Sequence, residues 1–454
     1  MRAEGFRDEL RRMIRLATPL AVAAAGTNLM GLVDVAVLGR LSARDLAASG
    51  LANAIFFSFS VFGMGMVMGV EPLIAQAIGA GDRVRARHVL WQGIWLALAT
   101  AGALTTCLLI AALLLPHIGS QPELIRPATV YLLIRVLSIV PFLLYFVMRA
   151  YLQAQHITRP LLFSMVAANV FNLGADILLV FGGGVLPPWA GVFRRIPAMG
   201  VAGAALATVA CTILQFVWVG MAAFRVEVHG RVDHRWNRPE IERAFRVGLP
   251  LGLQTGAEVA IFALVGVLAS RLGTLELAAH QLAISLASLT FCVALGVSSA
   301  GTVRVGRAIG ARDVAATRSA GYAAFLLGAS VMGISALSFA LFPRSIARLV
   351  TDQEDVIATA LPLMLVTAVF QISDGIQAVG AGVLRGAGDT KRTFYVNILG
   401  HWCIGLPVAL FLGFRRQLGV VGLWWGLCAG LTVVAVLLFL RFERLSRNAI
   451  APIT

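Results

Sequence analysis

Apolar runs of about 20 residues recur along this chain, among them residues 96–115, 251–270 and 422–440. Each is long enough to cross a hydrocarbon core of roughly 30 Å as a helix. Composition agrees with that reading. The chain is 59% hydrophobic and 13% charged, with mean hydropathy +0.86, where a soluble domain carries about 45–50% apolar and about 25% charged residues. One water-soluble core could not hide the excess. The expectation is an all-α polytopic protein of the lipid bilayer, with twelve spans running from 13–37 to 419–441.

The net charge of +15 could suggest nucleic acid, but the basic residues lie between the spans, so no nucleic-acid partner is expected. With the N-terminus in the cytosol, 26 Arg and Lys residues fall in inside segments and 10 in outside ones. The positive-inside rule therefore places both termini in the cytosol. The amphipathic N-terminal stretch lacks a signal-peptide cleavage pattern and is expected to stay. Cys107, Cys211, Cys292, Cys403 and Cys428 sit apart in apolar stretches, so neither a disulfide framework nor a metal-ligand spacing is visible.

AIGAGD (77–82) returns as AIGARD (308–313), 231 positions later. At the same offset Pro19 lies over Pro250, and GRLSARDLAASGLA (39–52) lies over SRLGTLELAAHQLA (270–283). The chain thus reads as two copies of a six-span unit. The expected divisions are an N-lobe at 1–224, a cytosolic linker at 225–243, a C-lobe at 244–441 and a cytosolic tail at 442–454. Six is even, so both copies enter from the same side and the repeat is parallel. Such a duplication suits alternating access in a transporter.

Acids inside spans are costly, by about 2.5–3.5 kcal/mol on insertion scales, and tend to face a cavity or a partner. Asp34, Asp176, Glu258 and Asp374 sit well inside predicted spans, and Glu71 lies near the end of one. Arg135 is the main mid-span base. Asn172 precedes Asp176 by one turn, and Gln254 precedes Glu258 by one turn. Gln371 and Gln377 flank Asp374 three residues either side. An amide beside a carboxylate can coordinate a small hard cation, and burial favours the neutral carboxyl, so such groups can exchange a proton for Na⁺ or an organic cation. Asp176 could instead pair with Arg135. Met64, Met66 and Met68 read first as packing and second as an adaptable contact surface.

Several stretches also carry a resemblance: GLVDVAVLGRLS (31–42), EPLIAQAIGAGD (71–82), GLPLGLQTGAEVAIFALV (248–265), LAAHQLAISLASL (277–289), RVGRAIGARD (304–313) and QISDGIQAVGAGVLRGAGDTKR (371–392). Together they resemble the multidrug and toxic compound extrusion (MATE) family, chiefly its NorM-type branch. The resemblance implies twelve helices in two lobes forming a V, and export of organic cations or drugs in exchange for H⁺ or Na⁺, with no cofactor. It implies that Asp34, Asn172, Asp176 and Thr208 form an N-lobe cation site able to hold Na⁺; the Asn172–Asp176 pair is similar to the DinF-type branch. Glu258 and Asp374 match the C-lobe acids of NorM-type members, with Gln254 and Gln371 as secondary candidates. Glu71 is similar to eukaryotic members. Phe370 stands where the pattern often has Tyr, which removes one oxygen from the C-lobe. The segment 182–198 is longer than the pattern. A monomer in a bacterial inner membrane is expected. A lipid-linked sugar flippase is the alternative transporter, but its cavity should be basic. A membrane enzyme would need a nucleophile–base pair or metal ligands, which the spans do not offer, and a passive channel would not need the duplication.

Overall fold

The computed structural model describes residues 3–117, 122–185 and 188–453, and among these residues it is helical with no strand. The first repeat holds α1 (Ala3–Gly39), α2 (Ala43–Val67), α3 (Val70–Gly79), α4 (Arg83–Leu114), α5 (Pro122–Val136), α6 (Ile139–Ala154), α7 (Arg159–Phe181) and α8 (Val201–Phe224). The second holds α9 (Arg238–Leu272), α10 (Thr274–Gly310), α11 (Val314–Leu341), the short α12 (Pro343–Ala347), α13 (Glu354–Gly386), α14 (Thr390–Ile398), α15 (Leu406–Leu410) and α16 (Gly419–Leu445). Among the described residues, eleven of these helical stretches are long and apolar enough to cross a membrane, with α2 running into α3 and α14 into α15. A twelfth is the pair α5–α6, bent by 43° at its break. The count matches the twelve spans expected from hydropathy.

Helix ends follow local chemistry. Ser42 accepts a hydrogen bond from Asp45 N at the start of α2, and Asp313 accepts one from Ala316 N at the start of α11. Pro19 and Pro250, equivalent by the repeat, both sit inside continuous helices. Between α14 and α15 the chain adopts a π-helix at Leu399–Gly405, and a second π segment follows at Phe411–Arg415. Part of the 182–198 segment folds as short 3₁₀ turns, with Gly183 N donating to Ile196 O at 2.8 Å; residues 186–187 of it lie outside the described residues.

By internal contacts the chain divides into two compact units. One is Met1–Ala24, Glu71–Asp82 and Leu253–Thr454, and the other is Ala25–Val70 and Arg83–Gly252. In the first unit α10, α11, α13 and α16 pack together, and in the second α2, α4, α5, α6, α7 and α8 do. The lobe boundaries expected from the repeat follow chain order, whereas these units do not. The physical reason is that the leading part of each repeat's first helix packs within the other unit. Gly296 of α10 lies against the backbone of Ala21 in α1, within the first unit. Gly252 of α9 lies against Phe62 and Met66 of α2, within the second. Ala21 and Gly252 are themselves equivalent, since 21 plus the offset of 231 is 252. The contact uses the Met66 backbone, and its side chain is buried.

The duplicated hexapeptide explains itself in the first unit. Gly79 abuts the backbone of Arg307, and Gly310 abuts the backbone of Gln76. Adding 231 to 76 and 79 gives 307 and 310, so one pair of repeat positions meets twice. The glycines are needed because helix backbone meets helix backbone there, leaving no space for a Cβ. Gly79→Ala and Gly310→Ala should each destabilise the protein by about 1–3 kcal/mol through overpacking. Gly102→Ala, where a Cβ meets open space, should be neutral or stabilising. Thermal unfolding of the detergent-purified variants checks this, and equal melting temperatures for all three would show that the contact is not tight.

Candidate functional site

The buried acids gather into two clusters, one in each unit. In the second unit, Asp34 on α1 meets Asn172 and Asp176 on α7 and Thr208 on α8. Thr208 Oγ1 lies 3.2 Å from Asp34 Oδ2 and donates to it, and also lies 2.9 Å from Ala204 O. Asn172 and Asp176 are both 0% exposed. Asp34 and Asp176 are close enough to act directly on one another, with Asn172 beside them. Asp34 Oδ1, both Asp176 oxygens and both polar atoms of the Asn172 amide are buried without a hydrogen-bond partner.

Arg135 of α5 is the nearest positive charge to Asp34. Its guanidinium lies 4.1 Å from the centroid of the Phe56 ring, a cation–π contact that holds it aside. Among the described residues no ion pair joins Arg135 to Asp176. Ionised carboxylates accept hydrogen bonds and cannot donate them. Facing acceptor oxygens therefore need a proton or a cation between them. The set brings together carboxylate, amide and hydroxyl oxygens, the ligand types a small hard cation takes.

The cluster in the first unit is built differently. Glu258 Oε1 accepts from three amides: Gln254 Nε2 at 3.1 Å, Gln377 Nε2 at 2.8 Å, and Asn397 Nδ2. Asp374, 8% exposed, lies within electrostatic reach of Glu258. Gln371 Oε1 accepts from Thr290 Oγ1 at 2.7 Å, while its Nε2 is buried without a partner. Three donors on one carboxylate oxygen stabilise its charge, so this acid is already supplied with partners where the other cluster is not. Phe370 packs at 5.1 Å from Trp424 and 6.1 Å from Phe262, ring centroid to centroid. It belongs to the apolar core of its unit.

The spacing in the sequence brought Gln377 to Asp374, yet its amide serves Glu258. Asn397 went unnoticed in the sequence. Its only signal there is a lone amide within an apolar stretch, and nothing in the spacing ties it to a glutamate 139 positions earlier. It stands directly before the π-helix at Leu399–Gly405, a widened turn of the kind that often accompanies functional sites. Glu71 joins neither cluster by any direct bond; its carboxylate pairs with Arg385 at 3.2 Å, both side chains being nearly buried. Arg385 also reaches Thr302 Oγ1 at 3.2 Å. His280 accepts from Trp424 Nε1 at 3.1 Å and sits in the core.

A duplicated bundle of apolar helices that keeps carboxylates in its interior has the build of a secondary transporter. Comparison with known proteins narrows that class. The MatE family profile matches residues 19–178 and again 250–411, and its two starts differ by 231 (250 minus 19), the offset of the internal repeat. The chain belongs to the MatE family, the multidrug and toxic compound extrusion transporters. It is 32% identical to the "Multidrug resistance protein NorM" of Aliivibrio fischeri, over 98% of this chain and 96% of that one. It is 36% identical to the "Probable multidrug resistance protein NorM" of Rhodopseudomonas palustris, over 99% and 95%. Among solved structures, a MATE in complex with MaD3S matches with TM-score 0.86 at 21% identity, covering 97% of each chain. The eukaryotic MATE transporter AtDTX14 matches with TM-score 0.85 at 20% identity, covering 99% of this chain and 100% of that one.

Asn397→Leu removes one of the three donors to Glu258 and should lower transport about tenfold, since a hydrogen bond to a charged group contributes about 1.5–3 kcal/mol. Initial rates of cation uptake into proteoliposomes, with melting temperature as a folding control, measure it. An unchanged rate would reduce Asn397 to a packing residue.

Proposed function

We propose that this chain is a multidrug efflux transporter of a bacterial inner membrane, exporting organic cations in exchange for H⁺ or Na⁺. The observation that carries the reading is the acidic imbalance of both interiors. Asp34 and Asp176 face one positive charge that is engaged with a ring, Glu258 takes its hydrogen bonds from amides with Arg385 acting on it through its charge, and Asp374 adds a second buried acid beside it. An interior of that polarity attracts cations and repels phosphates. The NorM names of the full-length relatives support drugs as the substrate class. A transporter of the same superfamily from Pyrococcus furiosus, matched with TM-score 0.84, is described by a reversed polarity of its binding pocket. The acids here argue against a flippase that accepts a lipid pyrophosphate.

In this reading the coupling ion occupies the cluster of Asp34, Asn172, Asp176 and Thr208, where acceptor oxygens lack partners. Glu258 and Asp374 take the cationic substrate or a second proton. Exchange across the membrane then follows from alternating access of the two repeats. The positive-inside distribution supports cytosolic termini.

The experiment is transport in proteoliposomes. A proton gradient and a sodium gradient are imposed separately on inside-out vesicles, and uptake of ethidium is followed. Uptake under one gradient and not under a matched control is expected, and it names the ion. Asp34→Asn and Glu258→Gln should each reduce coupled uptake at least about tenfold, as expected for loss of about 1.4 kcal/mol or more, with the fold intact. Full uptake by both variants would remove these acids from the mechanism.

A further inference from the structure

The loop between α8 and α9 is strapped to α4 by side chains that reach its backbone. Arg87 Nη2 donates to Val226 O at 2.5 Å, and His88 Nδ1 donates to Asp233 O at 2.7 Å. Gln92 Nε2 donates to Arg235 O at 2.8 Å, and Trp95 Nε1 donates to His234 O at 3.0 Å. Gln92 Oε1 in turn accepts from Asn237 N at 2.9 Å. Beside this strap lies a cavity of about 440 Å³ bounded by Arg87, Trp91, Phe224, Arg225, His229 and His234.

Arg87 is the anomaly. Its side chain is buried, at 6% exposure, with the guanidinium 4.8 Å from the Tyr151 ring centroid and 5.4 Å from that of Phe224. Its Nη1 is buried without a hydrogen-bond partner, as is the Tyr151 hydroxyl. Glu240, in the first turn of α9, pairs through Oε1 with Arg243 at 2.9 Å and with Arg85 at 3.9 Å, and its Oε2 is buried without a hydrogen-bond partner. A buried guanidinium with an unfilled donor is expensive unless an anion completes it. Cation–π contacts offset only about 0.5–2 kcal/mol of such a cost.

We propose that this cavity binds a phosphate-bearing anion, anchored on the Arg87 side chain that lines it. Phosphate suits the site better than a carboxylate because positive or proton-donating groups approach from several sides: Arg87 from α4, Arg225 from the end of α8, and His229 and His234 from the loop. One carboxylate would be satisfied by a single guanidinium fork, whereas a phosphate offers more acceptor oxygens. Glu227 lines the same space from its exposed side and opposes anions at the rim, which leaves the inner end at Arg87 as the anchoring point. Trp91 and Phe224 supply apolar walls for whatever the phosphate carries. The group could be the headgroup of an anionic lipid or a free phosphate compound. Bound there, it would cross-link α4 to the loop that carries the chain from the first repeat into the second.

The test uses the full-length protein in neutral detergent. Its thermal stability is titrated with inorganic phosphate, with short-chain phosphatidylglycerol, and with sodium chloride at matched ionic strength. Saturable stabilisation by at least one phosphate-bearing probe beyond chloride is expected. Saturation by phosphatidylglycerol alone assigns a lipid headgroup, and saturation by inorganic phosphate as well assigns the phosphate itself. Arg87→Gln removes the guanidinium charge and should weaken the apparent Kd about tenfold, the effect of losing a hydrogen bond to a charge. Arg225→Gln lies on the exposed rim, should fold as the parent does, and should weaken binding up to about threefold, as an exposed charge pair would. Stabilisation no greater than that of chloride, or a Kd unchanged in both variants, overturns the proposal.

Discussion

The contact on which the first unit depends is backbone against backbone, where Gly79 meets Arg307 and Gly310 meets Gln76. Lipid tails are as apolar as leucine, so helices in a bilayer gain little from simply hiding apolar surface and must instead pack closely. Small residues at the crossing permit that approach. Polar groups then reinforce it. Gln76 Nε2 donates to Gly386 O at 3.1 Å, and Gln76 Oε1 accepts from Ile453 N at 2.7 Å, which ties the C-terminal tail to the same crossing. Glu71, on the same helix as Gln76, pairs with Arg385, the neighbour of Gly386, at 3.2 Å. The motif EPLIAQAIGAGD therefore reads physically as a joint: an acid for an ion pair, an amide for two backbone groups and a glycine for contact.

Duplication kept this joint but not the acids. Subtracting or adding the offset of 231 places Val265 opposite Asp34, Pro407 opposite Asp176, Thr27 opposite Glu258 and Leu143 opposite Asp374. The two repeats thus share a scaffold while placing their buried charges at unrelated positions. The clusters also differ in kind. One consists largely of buried polar atoms without hydrogen-bond partners, and the other centres on a carboxylate supplied by three amides. Partnerless acceptors in a dry interior favour capture of a proton or a cation. A carboxylate wrapped in amides is held in one orientation instead, which suits recognition of a cationic ligand. A symmetric scaffold with asymmetric interiors lets two cations be handled by two separate sets of groups.

Much of this was legible in the residues. Hydropathy marks the spans, including the bent pair α5–α6, because each apolar run must match the bilayer thickness whatever its neighbours do. The offset of 231 marks the repeat. The pairing of Asn172 with Asp176, and of Gln254 with Glu258, follows from helical spacing of one turn. What spacing could not supply were partners from other helices. Thr208 bonding to Asp34 spans 174 positions, and Asn397 bonding to Glu258 spans 139. Gln377 shows the limit most clearly: its sequence neighbour is Asp374, but its bond goes to Glu258.

By itself the sequence determined the helical class, the span count and the two-copy plan, all of which rest on local composition and on periodicity along one chain. It also determined which acids the membrane would have to accommodate. Tertiary structure alone decided how those acids are served, and it decided that each repeat's first helix opens against the second helix of the other repeat. It also left Arg87 buried beneath the linking loop without an acceptor for one nitrogen. These outcomes depend on crossing distances between helices far apart in the chain, set by small residues such as Gly79 and Gly310 at contact points that no single span reveals.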